Sequence, residues 1–370
     1  MTPPDSSPPC VHPLPPLLRS GLHCSHLPSL DGLRAVSAFL VVFYHYGLGW
    51  SPGGLGVLAF FVLSGFLITW LLLKEEERYG EISLKLFYIR RSLRIFPAFY
   101  CYWFLLNSAL LLVGRQVVIP QAVCAAFYVN NYYQAIFGDP STGLSHTWSL
   151  GIEEQFYVLW PMTFLFLKRN RSRMWFLVAA IAAVWVYREV LVFLVHMNQG
   201  YIYEAFDARA DHLLIGCLLA VVLRDRAFGL LWERLCWSPW FPVLTAAGLF
   251  LSAALANRYG TMYRDAVGFI VDPLLVAILI VQTVAHRSTG LGVALNWGWM
   301  RYLGSISYSI YLYQQIVIGP AKSFTTSTHW LALPASMACV VIVASASYWI
   351  VEKPFLRLKG RFFVPVGPQS

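Results

Sequence analysis

Ten apolar stretches, each long enough to cross a hydrocarbon core of about 30 Å as a helix, follow one another along this chain. They fall at about 32–50, 54–73, 95–113, 153–168, 175–197, 206–223, 241–256, 266–285, 303–321 and 330–352. No single soluble core of 370 residues could bury them all, and the composition agrees: 58% of residues are hydrophobic and 12% are charged, about half the roughly 25% of soluble domains. Disorder, a disulfide scaffold and an ordinary cytosolic enzyme are excluded. The expected fold is all-α, a multi-pass integral membrane protein of about ten helices. An aromatic segment, Ala122–Gln134, is expected in the membrane interface.

Lys and Arg sit in short clusters between the apolar runs, which argues against nucleic acid despite a net charge of +9. With the N-terminus placed in the cytoplasm, the inside segments carry 21 Lys/Arg and the outside loops four, so both termini are expected to be cytoplasmic. The seven cysteines are scattered with no CxxC pair, as small apolar helix residues would be. Residues 1–29 read as a Pro-rich disordered leader, 30–355 as the membrane domain and 356–370 as a cytoplasmic tail. His23, Cys24 and His26 lack a fourth ligand, so no metal is expected.

An ionisable side chain in lipid needs a partner, a wet cavity or a function. The first apolar stretch holds Arg34 and His45. Eleven steps of about 100° bring both to one helix face, roughly 16 Å apart along the axis, with the imidazole expected near mid-membrane. Histidine is a common general base for an alcohol, though a core histidine would show the same spacing. Phe60 to Gly65 ends in Ser64 and Gly65, small enough for close approach of a helix or a ligand. Arg90, Arg91 and Arg94 lie in the following loop before Pro97, with Arg90 and Arg94 on one face; they suit phosphates or simple anchoring at anionic lipid. His146, Trp148, Glu153 and Glu154 open the fourth helix, where acids also complement the helix dipole. Arg209 and Asp211 are expected to pair with each other or elsewhere, and are kept as candidate substrate contacts; Asp272, Arg188 and Glu189 have no assigned role.

In order along the chain stand LDGLR at 30–34 with His45 eleven residues on, FFVLSGFLI at 60–68 and RRSLRIFP at 90–97. HTWSLGIEEQFY at 146–157, RADHLLIG at 209–216, SISYSIYLY at 305–313 and VEKPF at 351–355 follow. Together these resemble the membrane acyltransferase-3 family of O-antigen, exopolysaccharide and macrolide acylases. The resemblance implies an acyl-CoA donor, usually acetyl-CoA, entering from the cytoplasmic side of a bacterial cell membrane, and a carbohydrate or small-molecule hydroxyl as acceptor. It marks Arg34 and His45 as essential and Glu153 as the helix-four acid. It makes Arg90, Arg91 and Arg94 the site of the donor's phosphates, with Glu154 beside Glu153. Read from the residues themselves, Ser64 and Gly65 are added to the expected donor site, and Glu154, His146, Trp148, Arg209 and Asp211 are the expected acceptor contacts.

The expected mechanism is general-base transfer: His45 deprotonates the acceptor hydroxyl, which attacks the thioester and releases CoA. An acyl-histidine relay is its variant. Gln314 and Gln315 stand where many members carry a histidine, and the chain reads as the form without a fused hydrolase-like domain. The rival class is a transporter with midplane charges, against which no matching pair of halves is seen.

Overall fold

The structure, a computed structural model, describes Leu18, residues 27–324 and residues 329–359. The expectations for most of the leader, including His23, Cys24 and His26, and for the tail beyond 359 lie outside the described residues. Among those described, every regular element is a helix.

The first three helices are α1 (Pro28–Tyr46), α2 (Gly53–Tyr79) and α3 (Leu84–Leu112). The short α4 (Ile119–Ala126) and α5 (Asn130–Phe137) lead to α6 (Trp148–Phe166), α7 (Asn170–Phe193), α8 (Gln199–Glu204) and α9 (Phe206–Val222). Then come α10 (Gly229–Leu235), α11 (Phe241–Tyr263), α12 (Phe269–Ala285), α13 (Gly290–Leu295), α14 (Gly298–Ser305), α15 (Ser307–Phe324), α16 (His329–Ser347) and α17 (Lys353–Lys359). Each apolar stretch of the sequence is met by helix. On length and composition alone, five stretches of the described chain can span a bilayer: Gly53–Tyr79, Leu84–Leu112, Asn170–Phe193, Phe241–Ala285 and Leu333–Leu358. The protein is an integral membrane protein, but its described helices are less uniform than ten equal spans. α9 has 17 residues and carries Asp207, Arg209 and Asp211, and α6 is a 19-residue helix with Glu153 and Glu154 inside it. The 45-residue stretch from Phe241 is a pair of helices, broken at Gly260 (φ 75°, ψ −160°), and α11 and α12 pack against each other.

Local chemistry sets the ends that matter for the site. α1 stops at Tyr46 because Gly47 takes φ 102°, and its N–H closes on the Phe43 and Tyr44 carbonyls. His45 is therefore in the last turn of α1, not midway along a helix reaching residue 50. Ser83 caps α3, accepting from the Leu86 N–H at 3.4 Å, and the helix then runs unbroken to Leu112 with Pro97 inside it. The arginine cluster is thus helical from the start, where a loop was expected. The aromatic segment is also helical, as α4 and α5, and turns Gln121, Asn130, Asn131 and Gln134 into the protein.

α2 lies along both α1 and α9. A Cβ on Gly65 would sit 1.9 Å from the Leu213 carbonyl oxygen, and one on Gly216 2.1 Å from that of Val62, so the α2 and α9 backbones touch. The core around this contact holds Phe61, Val62, Phe66, Phe99, Tyr102 and Tyr157.

Candidate active site

α1, α2, α3, α6 and α15 enclose one cavity of about 630 Å³ of empty space, counting its open mouth. Arg34, Arg91 and Arg94 line it together with Ser64, Glu153 and Glu154. Among the described residues none of these three arginines has an ion pair. Arg91 lies 3.6 Å over the Tyr157 ring, and its Nε is buried without a hydrogen bond among the described residues. Arg90 points elsewhere, holding Glu75 of α2 at 2.6 Å. On the helix Arg94 lies between the other two, about 40° from Arg90 and about 60° from Arg91, so the ion pair with Glu75, not helical spacing, separates Arg90 from the cavity. The sequence pairing of Arg90 with Arg94 is replaced by Arg91 with Arg94.

Glu153 is held from both sides. Ser64 Oγ donates to Oε1 at 2.9 Å and the Tyr157 hydroxyl to Oε2 at 3.0 Å. Glu154 faces the same cavity and its Oε1 has no hydrogen bond among the described residues. Ser64 thus belongs to the cavity, whereas Gly65, the next residue, belongs to the α2–α9 contact.

His45 stands at the other end of α1 and is not among the residues lining the cavity; its Nδ1 donates to the Val41 carbonyl at 3.0 Å. His146, buried in a tight 3₁₀ turn before α6, lies within electrostatic range of His45. Its ring is edge-on to Tyr102 (5.6 Å) and Tyr311 (5.4 Å). Tyr311 lines the cavity and donates its hydroxyl to the His146 carbonyl at 2.8 Å, with Ser149 Oγ 2.5 Å from the same hydroxyl. Tyr311 and Ser149 therefore join the arginine end to the histidine end.

Beyond Phe61, Trp148 packs on Tyr203 at 5.1 Å, and the Arg209 guanidinium lies 3.9 Å over Phe269 and 4.9 Å from Tyr203. Asp211 does not pair with Arg209: both its oxygens take Arg188 at 3.0 Å, and Trp185 Nε1 donates to it at 2.9 Å. Just before α9, burial pushes the Glu204 carboxyl up to about 8; Asp139 adds to the rise and Arg209 opposes it.

A family model described as an acyltransferase domain matches residues 27–349. The chain belongs to the acyltransferase-3 family. It is 31% identical over 365 residues to the peptidoglycan O-acetyltransferase OatA of Listeria monocytogenes, covering 90% of this chain and 56% of that protein. It is 33% identical over 364 residues to a Bacillus subtilis protein named as a candidate peptidoglycan O-acetyltransferase, covering 91% and 56%. The chain thus spans just over half the length of these curated relatives. No solved structure matches it significantly.

Several residues that this acyltransferase-3 domain places at the site escaped the sequence reading. Tyr308 and Tyr311 of SISYSIYLY are three apart on α15, a spacing that signals one helix face. Glu352 of VEKPF lies in a π-turn at Tyr348–Glu352, buried and bonded by Ser309, within electrostatic range of Arg34 and Arg94. No local pattern announces that contact, since it joins the last turns of the described chain to the first helix.

Proposed function

We propose that the protein is a membrane O-acetyltransferase of the bacterial cell membrane that takes an acetyl group from acetyl-CoA to a hydroxyl of a carbohydrate. The observation that carries this reading is the cavity lined by three arginines, none of them in an ion pair among the described residues. Three such guanidiniums, with carboxylates present in the same space but not paired to them, suit a ligand with several phosphate charges. The nucleotide end of the donor would lie against Arg34, Arg91 and Arg94. Its pantetheine arm would run along α1 toward His45, roughly 16 Å from Arg34 along the axis.

At that end His45 takes the proton of the acceptor hydroxyl, the oxygen attacks the thioester carbonyl, and the thiolate of CoA leaves and is protonated. Glu153, fixed by Ser64 and Tyr157, orients the donor arm, and Tyr311 with Ser149 keeps His146 beside His45. The O-acetyltransferase names of the relatives support the acyl group and the class of acceptor.

Calorimetric titration of acetyl-CoA into the purified protein, beside turnover of His45→Ala, tests the proposal. Saturable binding in the wild type and loss of transfer in a normally inserted His45→Ala are expected. Absence of acetyl-CoA binding by a folded sample would end the donor assignment, and full turnover by His45→Ala would end the general-base assignment.

A further inference from the structure

We propose that Arg209 anchors the acceptor, and that the acceptor is a pyranose bearing one carboxylate. The inference rests on the acetyltransferase reading and adds the chemistry of the group being acetylated.

Arg209 is 0% exposed, and its Nε, Nη1 and Nη2 all lack a hydrogen-bond partner among the described residues. A buried cation in that condition is costly unless something pairs with it. The nearby acids are already engaged. Asp211 gives both oxygens to Arg188, Asp265 accepts from Arg264 Nε at 2.7 Å, and Asp207 accepts from the hydroxyls of Tyr132, Tyr187 and Tyr201. Glu204 makes no ion pair with Arg209. With Arg188 and Arg264 each matched by an aspartate, one positive charge is left among the described residues of this cluster.

A single guanidinium fork matches a single carboxylate through two parallel bonds. A phosphate dianion would need a second free cation, which these pairings do not leave. The walls are aromatic: Phe269, Tyr203 and Phe61 lie 3.9, 4.9 and 6.0 Å from the Arg209 guanidinium carbon, and Trp148 packs on both Phe61 and Tyr203. Flat apolar faces with one convergent charge are what a charged sugar ring needs for orientation. Placement fits as well. Phe61 also lines the arginine cavity, so the Arg209 cluster and the donor cavity share one ring. Tyr203, half-buried, sits between Arg209 and the part-exposed Arg264, each 4.9 Å from its ring.

The test is calorimetric titration of the full-length protein in detergent with methyl β-D-glucuronide and methyl β-D-glucoside, which differ only at C6. The wild type is expected to bind the glucuronide at least about tenfold tighter. Arg209→Met should abolish the difference, and Arg209→Lys, which keeps charge but loses the fork, should reduce it. Equal binding of the two sugars by the wild type, or undiminished discrimination in Arg209→Met, overturns the proposal. If Arg209→Met does not fold, undiminished discrimination in Arg209→Lys overturns it instead. Acetyl-CoA titrated into the same wild-type sample keeps the two readings apart: its failure to bind sinks the donor site, whereas the sugar comparison judges Arg209 alone.

Discussion

At the scale of single residues, the arginine cluster separates into two jobs that substitutions can resolve. Arg91 and Arg94 face the cavity, while Arg90 serves Glu75. A hydrogen bond to a charged group is worth about 1.5–3 kcal/mol. Arg91→Ala and Arg94→Ala are each expected to raise the apparent KM for acetyl-CoA roughly ten- to hundredfold. Arg90→Ala should leave that KM within about threefold and lower stability by about 1 kcal/mol, the scale of a partly exposed ion pair. Steady-state kinetics with thermal melts of the three variants check both; a KM rise confined to Arg90→Ala would reverse the assignment. Glu204 gives a pH signature. Its folded value near 8 lies above the ordinary carboxylate value, so the protonated form is favoured by folding. Its contribution to stability is complete below about pH 4.5 and is lost as pH rises through about 8. The melting temperature of Glu204→Gln is therefore expected to fall less than that of the wild type between pH 6 and 9, and parallel falls would remove Glu204 from the account. Helical spacing made the shared face of Arg34 and His45 legible, and the motif marked Glu153. It did not show which arginine faces inward, because that depends on how α3 packs and on the pairing of Arg90 with Glu75, fifteen residues away on another helix.

At the scale of elements, the α2–α9 contact is a backbone contact, and it is the mechanical floor of the site. Gly65 follows Ser64, the donor to Glu153, so separating the two helices would shift the cavity wall itself. Gly65→Ala places a Cβ 1.9 Å from a carbonyl oxygen that cannot rotate away. Overpacking of this kind costs about 1–3 kcal/mol or more. A clear drop in melting temperature is expected, with loss of acetyl transfer. Gly248→Ala in α11 is the control: its nearest neighbour would be the Leu275 Cδ1 at 3.8 Å, ordinary contact. That change should be neutral or stabilise by up to about 1 kcal/mol, since alanine is the better helix former. Equal melting temperatures for the two variants would contradict the close contact. The helices themselves were legible, since long apolar runs bounded by Gly47, Gly80 and Ser83 have few alternatives. The pairings between them were not. Arg188 with Asp211 lies 23 residues apart and Tyr311 with His146 165 apart, and no local pattern specifies either.

At the scale of the whole molecule, the charge asymmetry and the position of the cavity make one joint prediction. Arg34 lies near the start of α1, Arg91 and Arg94 near the start of α3, and the α2–α3 turn at Glu81 is beside them in the chain. His45 and the exposed Gln116, which follows α3, belong to the opposite ends of those helices. On the ten-span reading of the sequence, Lys and Arg stand 21 to 4 in favour of the side that holds Glu81. If that side is cytoplasmic, the arginine cavity opens where acetyl-CoA is available, and the histidines lie toward the outer face, where a cell-surface sugar would arrive. The orientation is expected to show in a cysteine-free background carrying Glu81→Cys or Gln116→Cys. In intact cells a membrane-impermeant maleimide should label the Gln116→Cys variant and spare the Glu81→Cys variant until the membrane is permeabilised. Labelling of the Glu81→Cys variant in intact cells would place the arginines outside, where no nucleotide donor reaches them. The cavity would then need another polyanion as its ligand, and the division of labour between the two ends of α1 would have to be read in the opposite direction.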